Sequence, residues 1–297
     1  MLFFPLRNIL GTLAITPTLS LLLLLAVLCA CKRLEPNPER NIKVIGHGGV
    51  GFQSPRNQLP HNSIESLRKA MEFYDAHGVE IDIYSDFEGN LWMYHDETLE
   101  TMTDCHGCIF NQPASALQNC HFRNDFMIRH GFRKFKLQRF DEFLQITANY
   151  IQSRYVFLDI RTNHVCDPQK NSELREKLIS GIVRLINQYH IAENTWLTSG
   201  DQAFIREMRA AMPDVKILYE RRFSEESLRY TLENNLTGMI LKNRECTAED
   251  IQTLRNNNLI SCIFGIKVQT GITQAVNKNP DFIMPDNLGL TANILQR

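Results

Sequence analysis

The sequence predicts a parallel α/β fold, a TIM-type (β/α)8 barrel. From Lys43 onward, short apolar runs alternate with amphipathic helical patterns, and about nine of those runs have strand length. No period typical of a solenoid interrupts the alternation. The competing architecture, a doubly wound open sheet, asks for a glycine-rich phosphate loop. His47-Gly48-Gly49 lacks the G-x-G-x-x-G spacing and does not open directly into a helix. With 297 residues, 43% of them hydrophobic and 22% charged, the chain has material for one large domain or two modest ones. A net charge of -1 argues against a nucleic-acid partner held by bulk electrostatics.

The first element is a targeting segment rather than part of the fold. Residues 1–30 read as a signal peptide, with an apolar core at Leu21 to Leu28 that is short for a membrane span. The core ends in Leu28-Cys29-Ala30-Cys31, followed by Lys32 and Arg33. This resembles the lipobox of bacterial lipoproteins, in which cleavage precedes a cysteine that receives lipid. The resemblance implies lipidation at Cys31 and a location in the bacterial cell envelope, tethered to a membrane. An uncleaved anchor helix is the alternative. Residues 31–42, with Pro36 and Pro38, read as an extended spacer, and 43–297 as the barrel domain.

Within that domain, Lys43 to Gly46 reads as a strand running into a polar loop. Ser63 is an N-cap candidate for a helix from Ile64 to about Ala76, with Ile64, Leu67, Ala70, Met71 and Tyr74 on one face. Strands follow at Val79 to Ile83 and Leu91 to Tyr94, separated by a turn around Gly89. The long stretch from Glu97 to about Phe135 has the length of a functional loop or small subdomain. A helix from Arg139 and a strand at Tyr155 to Ile160 come next. Helices at Ser172 to Tyr189, Gln202 to Ala211 and Glu225 to Asn234 then alternate with strands at Thr195 to Thr198, Val215 to Tyr219 and Gly238 to Leu241. A helix capped by Thr247 and strands at Leu259 to Ile266 and Phe282 to Met284 close the pattern. Nine strands exceed the eight of a barrel, so one of the late ones is expected to be peripheral. Outside the leader six cysteines remain; Cys105 and Cys108 lack the second pair that a zinc site needs and read as a loop disulfide or free thiols.

Ionisable residues collect where strands end. His47 follows the first strand, Glu80 and Asp82 lie two apart in the second, His95 ends the third, and Asp159 and Arg161 close the next. Two residues apart in a strand share a face, and in a barrel the C-terminal strand ends form the working face. Three carboxylates make a hard oxygen site suited to Mg2+ or Ca2+. Two histidines form an acid and base pair near neutral pH. Arg161 adds a charge for an anionic phosphoryl group. Together these groups point to cleavage of a small-molecule phosphodiester. Asn62 and Lys242 are further phosphate-binding candidates.

The ordered set Gly46-His47-Gly48, Pro60-His61-Asn62-Ser63, Glu80-Ile81-Asp82, His95-Asp96 and Leu158-Asp159-Ile160-Arg161 resembles the motifs of the glycerophosphodiester phosphodiesterase family. That resemblance continues more faintly to Ile283-Met284-Pro285-Asp286. It implies a TIM-type barrel, catalytic His47 and His95, and a divalent cation on Glu80, Asp82 and Asp159. The chain departs from the family pattern in four places: Gly48 stands where Arg is usual, His61 for Glu, Asp159 for Glu and Arg161 for Lys. Phospholipase D toxins of the same superfamily also lack that first Arg, use Asp as third ligand and carry a cysteine-bridged loop after the second histidine. The expected activity is hydrolysis of glycerophosphodiesters, or related phospholipid headgroup diesters, to an alcohol and glycerol 3-phosphate. Alternatives are a phospholipase C- or D-like enzyme that forms a cyclic phosphate and a lipoprotein that binds a phosphorylated ligand without turnover.

Overall fold

The computed structural model of the chain describes residues 41–52, 59–123 and 134–295. The segment read as a signal peptide, Cys31 and most of the stretch read as a 31–42 spacer lie outside the described residues. Among the described residues, no helix is long and apolar enough to cross a membrane.

The described residues form nine strands: β1 (Lys43–Gly46), β2 (Gly78–Ser85), β3 (Leu91–Met93), β4 (Tyr155–Ile160), β5 (Thr195–Ser199), β6 (Lys216–Glu220), β7 (Gly238–Lys242), β8 (Ile260–Ile266) and β9 (Phe282–Pro285). Eight of them pair in parallel in the cycle β1-β2-β4-β5-β6-β7-β8-β9, and β9 returns to β1. The result is a closed barrel with no free edge. The supernumerary strand is β3, which pairs antiparallel with β2. The sequence placed the extra strand late in the chain; it is early, because a tight turn at Gly89 folds β3 back on the overhanging end of β2.

The connecting helices are α1 (Ile64–Glu72), α2 (Phe140–Thr147), α3 (Asn171–Tyr189), α4 (Gln202–Ala211), α5 (Glu225–Glu233), α6 (Ala248–Asn256), α7 (Gln269–Asn277) and α8 (Leu288–Leu295). Side-chain caps start α1, α4, α5 and α6: Ser63, Asp201, Ser224 and Thr247 each accept from a first-turn amide. Sequence reading missed α7 and α8. The helix α7 starts without a side-chain cap and carries Gly271, so its local signal is weak. By contrast, α8 is capped by Asn287, whose Oδ1 accepts from the Leu290 N–H at 3.0 Å, a signal the sequence did offer.

The barrel interior is filled by Ile45, Phe157, Trp196, Leu218, Ile240, Cys262, Phe282 and Met284. Phe157 and Trp196 stack at 5.5 Å and Phe282 meets both edge-on. These large side chains plug the barrel and leave its C-terminal end to polar groups. A second apolar cluster, including Trp92, Tyr94, Leu99, Ile109, Leu117 and Phe122, gives the 97–123 insertion its own core. Two disulfides tie it down, Cys105–Cys120 within the insertion and Cys108–Cys166 to the loop after β4. Cys105 and Cys108 are thus bridged, though not to each other, while Cys246 and Cys262 are free and buried.

Strand spacing leaves no room at Gly238, where a Cβ would stand 1.9 Å from the carbonyl oxygen of Ile260 on β8. Gly238→Ala is expected to destabilise the fold by about 1–3 kcal/mol through overpacking. The reading is a lower urea midpoint at unchanged m; an unchanged midpoint would contradict the close approach.

Candidate active site

The register of the barrel builds the acidic group. In β2 and β4, Glu80 pairs with Phe157 and Asp82 with Asp159. Phe157 faces the barrel interior, so its neighbour Glu80 does too, and Asp82 and Asp159 follow one step nearer the rim. Glu80 is 3% and Asp82 1% exposed. One oxygen from each of Glu80, Asp82 and Asp159 lies within 4.8 Å of the others. The short Asp159 side chain reaches the cluster because in-register parallel strands bring its backbone beside that of Asp82.

Three clustered carboxylates repel one another when charged, and the surroundings show how they are held. The Gly48 amide donates to Glu80 Oε2 at 2.8 Å. Asn62, at φ 60°, donates through Nδ2 to Asp82 Oδ2 at 2.7 Å and accepts through Oδ1 from the Asp82 amide at 3.1 Å. Arg161 spans the pair from the next strand end: Nε meets Asp82 Oδ1 at 2.9 Å, and Nη2 contacts Asp82 Oδ1 and also Asp159 Oδ2 at 2.8 Å. Burial pushes the Glu80 carboxyl well up, with Asp82 and Asp159 adding like charge. Burial likewise raises Asp159 to about 7 against the pull of Arg161. Asp82 goes the other way: burial disfavours its charge, but the charges of Arg161 and His95 and the hydrogen bonds from Arg161 and Asn62 Nδ2 hold it well below the usual carboxylate range. A cluster of hard oxygen donors that keeps protons for want of positive charge fits a divalent cation.

The two expected histidines stand at the same rim. His47 Nδ1 meets Asp286 Oδ1 at 2.6 Å, and its Nε2 is 3.9 Å from Glu80 Oε2. His95 Nδ1 meets Asp96 Oδ1 at 2.8 Å. Burial works against charge on His95, but the Asp96 hydrogen bond and the field of Asp82 outweigh it and raise the imidazole above its ordinary value. Each ring is thus anchored at Nδ1 by a carboxylate, which leaves Nε2 as the working nitrogen. His95 does not end a barrel strand, as the sequence suggested. It leaves β3, whose antiparallel return carries the Tyr94 amide back to the Asp82 carbonyl at 3.1 Å.

Other expected residues fall differently. Asn62, expected on phosphate, has both ends of its amide committed to Asp82 and is a strap for that carboxylate. Arg161 touches two carboxylates directly. Lys242 ends β7 on the rim, 42% exposed, with Nζ 3.9 Å from Glu245. Sequence reasoning assigned no role to Asp286 and Asp96, although both sit inside the quoted motifs, nor to Glu220. Glu220 ends β6; burial raises its carboxyl, and its charge is felt by Asp159. The strand-end rule that selected Asp159 applies to Glu220 equally. His61 is buried between Phe52, stacked at 4.6 Å, and His95, edge-on at 5.8 Å. Burial depresses it to about 4, so it is a neutral third imidazole.

The barrel with this rim places the chain among proteins of known architecture. It superposes on a phosphodiesterase from Oleispira antarctica, solved with the product sn-glycerol-3-phosphate, with a TM-score of 0.71 at 17% identity, covering 86% of this chain and 97% of that one. A glycerophosphodiester phosphodiesterase from Agrobacterium tumefaciens gives 0.69 at 16%, covering 85% and 99%. At the sequence level the chain is 25% identical over 169 residues to a glycerophosphodiester phosphodiesterase of Caldanaerobacter subterraneus. That match takes in 57% of this chain and spans 64% of the relative's length. No protein-family model matches.

The charge balance has a measurable consequence. Asp159 rises from 3.8 to about 7 on folding, so the folded chain keeps a proton that the unfolded chain releases between those values. Stability of the cation-free protein should therefore fall as pH rises from about 4 to about 7, with Glu80 adding in the same direction. Asp82, depressed in the fold, adds stability that is lost only as pH drops below its unfolded value. Urea midpoints measured across this range should decline, and millimolar Mg2+ or Ca2+ should restore them at neutral pH. A flat profile with no cation effect would contradict the buried acidic cluster.

Proposed function

We propose that this chain is a divalent-cation-dependent phosphodiesterase that hydrolyses glycerophosphodiesters, or related headgroup diesters, to an alcohol and glycerol 3-phosphate. The observation that carries the reading is the pairing of two carboxylate-anchored imidazoles, His47–Asp286 and His95–Asp96, with the Glu80, Asp82 and Asp159 cluster on one barrel rim. The names of the similar proteins support the substrate class.

Glu80, Asp82 and Asp159 would hold the cation, whose charge would offset that developing on the phosphoryl oxygens. His47 acts as base: Asp286 fixes its Nδ1, and its Nε2 takes a proton from the attacking water. His95, biased towards the protonated form by Asp96 and Asp82, delivers a proton to the leaving alkoxide. Arg161 brings a permanent charge for the phosphate to the same rim; it is held well above its ordinary value by Asp82 and Asp159 despite burial. Asn62 keeps Asp82 in place. Gly48, where a longer side chain is usual in the family resembled, brings no side chain to the phosphate and packs directly against His61, which bears on headgroup choice.

A second reading, attack by a hydroxyl of the substrate itself to give a cyclic phosphate, is favoured by one observation. The Cys105–Cys120 bridge closes a loop soon after His95, as in the phospholipase D toxins resembled above. Phosphorus NMR of the products separates the two outcomes.

The reading includes a lipid anchor at Cys31 and a place in the bacterial envelope. Two disulfides are the kind of cross-link an oxidising compartment sustains. Cys31→Ala should move the protein from the membrane to the soluble fraction; unchanged fractionation would remove the anchor.

For the chemistry, glycerophosphocholine and similar diesters should be hydrolysed with Mg2+ or Ca2+ and spared when chelator is present. His47→Ala and His95→Ala should each lower kcat about 10²–10⁴-fold without a comparable change in stability. Full activity in either variant would sink the mechanism.

A further inference from the structure

Beyond Arg161, the loop that follows β4 carries ligand-type side chains of a different chemistry. His164, Cys166 and, from the insertion, Cys108 place one ring nitrogen and two sulfurs within 4.8 Å of one another. His164 is 1% and Cys108 3% exposed, whereas Cys166 is open to solvent.

The imidazole is prepared for a ligand. Its Nε2 lies 3.0 Å from Asn111 Oδ1, an oxygen that only accepts, so Nε2 carries the proton and Nδ1 keeps a free lone pair. Nδ1 is buried and has no hydrogen-bond partner among the described residues. Burial also lowers the ring's pKa, which favours the neutral form. The backbone is pinned where His164 N–H donates to Asn171 Oδ1 at 2.8 Å, and Phe110 packs against the ring at 5.2 Å. An outer partner that fixes the tautomer of an otherwise unpaired buried histidine is the usual surrounding of a metal-binding imidazole, and an orphaned polar atom of this kind calls for an explanation.

We propose that, when the Cys108–Cys166 disulfide is reduced, its two thiolates and His164 Nδ1 form a Zn2+-type site that ties the insertion to the β4 loop a second way. A dithiol reductant takes the disulfide to two thiols and leaves as its own disulfide. The cation then displaces the two thiol protons to solvent, and two thiolates with one neutral imidazole balance its double charge. Two sulfurs and a nitrogen select Zn2+ over the hard cations suited to Glu80, Asp82 and Asp159. Three protein ligands leave one coordination position for water. The cross-link joins the same two segments in either redox state, so the loop running from Arg161 through Asn163, which holds Glu97 at 3.0 Å, stays tied to the insertion.

Co2+ serves as the spectroscopic probe. The full chain, reduced with excess dithiol and freed of it anaerobically, is titrated with Co2+. One equivalent should develop a thiolate-to-cobalt charge-transfer band that Zn2+ abolishes; the oxidised protein should show none. The band should vanish in Cys166→Ser and persist in Asp159→Asn and in the Cys105→Ser/Cys120→Ser double variant. Asn111→Ala, which leaves all three ligands in place, should weaken affinity about 10–100-fold. Absence of the band in reduced wild type, or Co2+ affinity unchanged in both His164→Ala and Asn111→Ala, overturns the proposal. Should His164→Ala not fold, the Asn111→Ala result decides alone.

Discussion

The mutual repulsion of Glu80, Asp82 and Asp159 is the constraint around which this barrel is arranged. Parallel strand register forces Asp82 and Asp159 side by side, and the interior packing of Phe157, Trp196 and Phe282 denies them bulk water from below. Like charges at such spacing cannot all ionise without compensation. The chain supplies part of it through groups spread widely in sequence: the Gly48 amide, the Asn62 carboxamide and the Arg161 guanidinium. What they leave uncompensated appears in the raised carboxyls of Glu80 and Asp159. The proposed cation and the anionic substrate both follow from that residual imbalance.

The same constraint accounts for the shape of the rim. β2 runs on past Val79, where its pairing with β1 ends, to carry Glu80 and Asp82 beside β4, and its far end is what β3 folds back upon. That return delivers His95 to the ring of Phe52, which His47 also meets, although the two histidines come from different kinds of element. Their carboxylate partners differ in origin as well: Asp96 is the next residue, while Asp286 arrives from beyond β9, at the far end of the chain. Closing the barrel through the β1–β9 pairing is therefore also what orients His47. Folding and the proposed acid–base chemistry meet at that seam.

Much of this was legible in the sequence because barrels translate local pattern into position. Strand runs and period-two spacing placed His47, Glu80, Asp82, Asp159 and Arg161 on one rim, and the helix caps at Ser63 and Thr247 were visible as residue types. Pairing over distance was not legible. Whether Asn62 would face a phosphate or a carboxylate depends on where β2 lies relative to a positive-φ turn, which no local signal encodes. Cys108 meets Cys166 across 58 residues, and spacing within Cys105-His106-Gly107-Cys108 says nothing of it. The extra strand was assigned to the wrong part of the chain because antiparallel return and parallel crossover both read as short apolar runs.

The departures of this chain from the family pattern compensate one another physically. Asp159 is shorter than Glu, yet register brings it within reach, and Arg161, longer than Lys, spans both Asp82 and Asp159 from a single strand end. A bidentate fork suits that double contact where a point charge would not. Gly48 gives up a side chain but places its amide on Glu80, a contact made in a left-handed turn at φ 55° that favours glycine. A Cβ there would stand 2.9 Å from the Cβ of His61. Gly48 and His61 are therefore one substitution in two places, a neutral imidazole filling space that a side chain at 48 would contest, and the carboxylate cluster keeps its backbone anchor as a result.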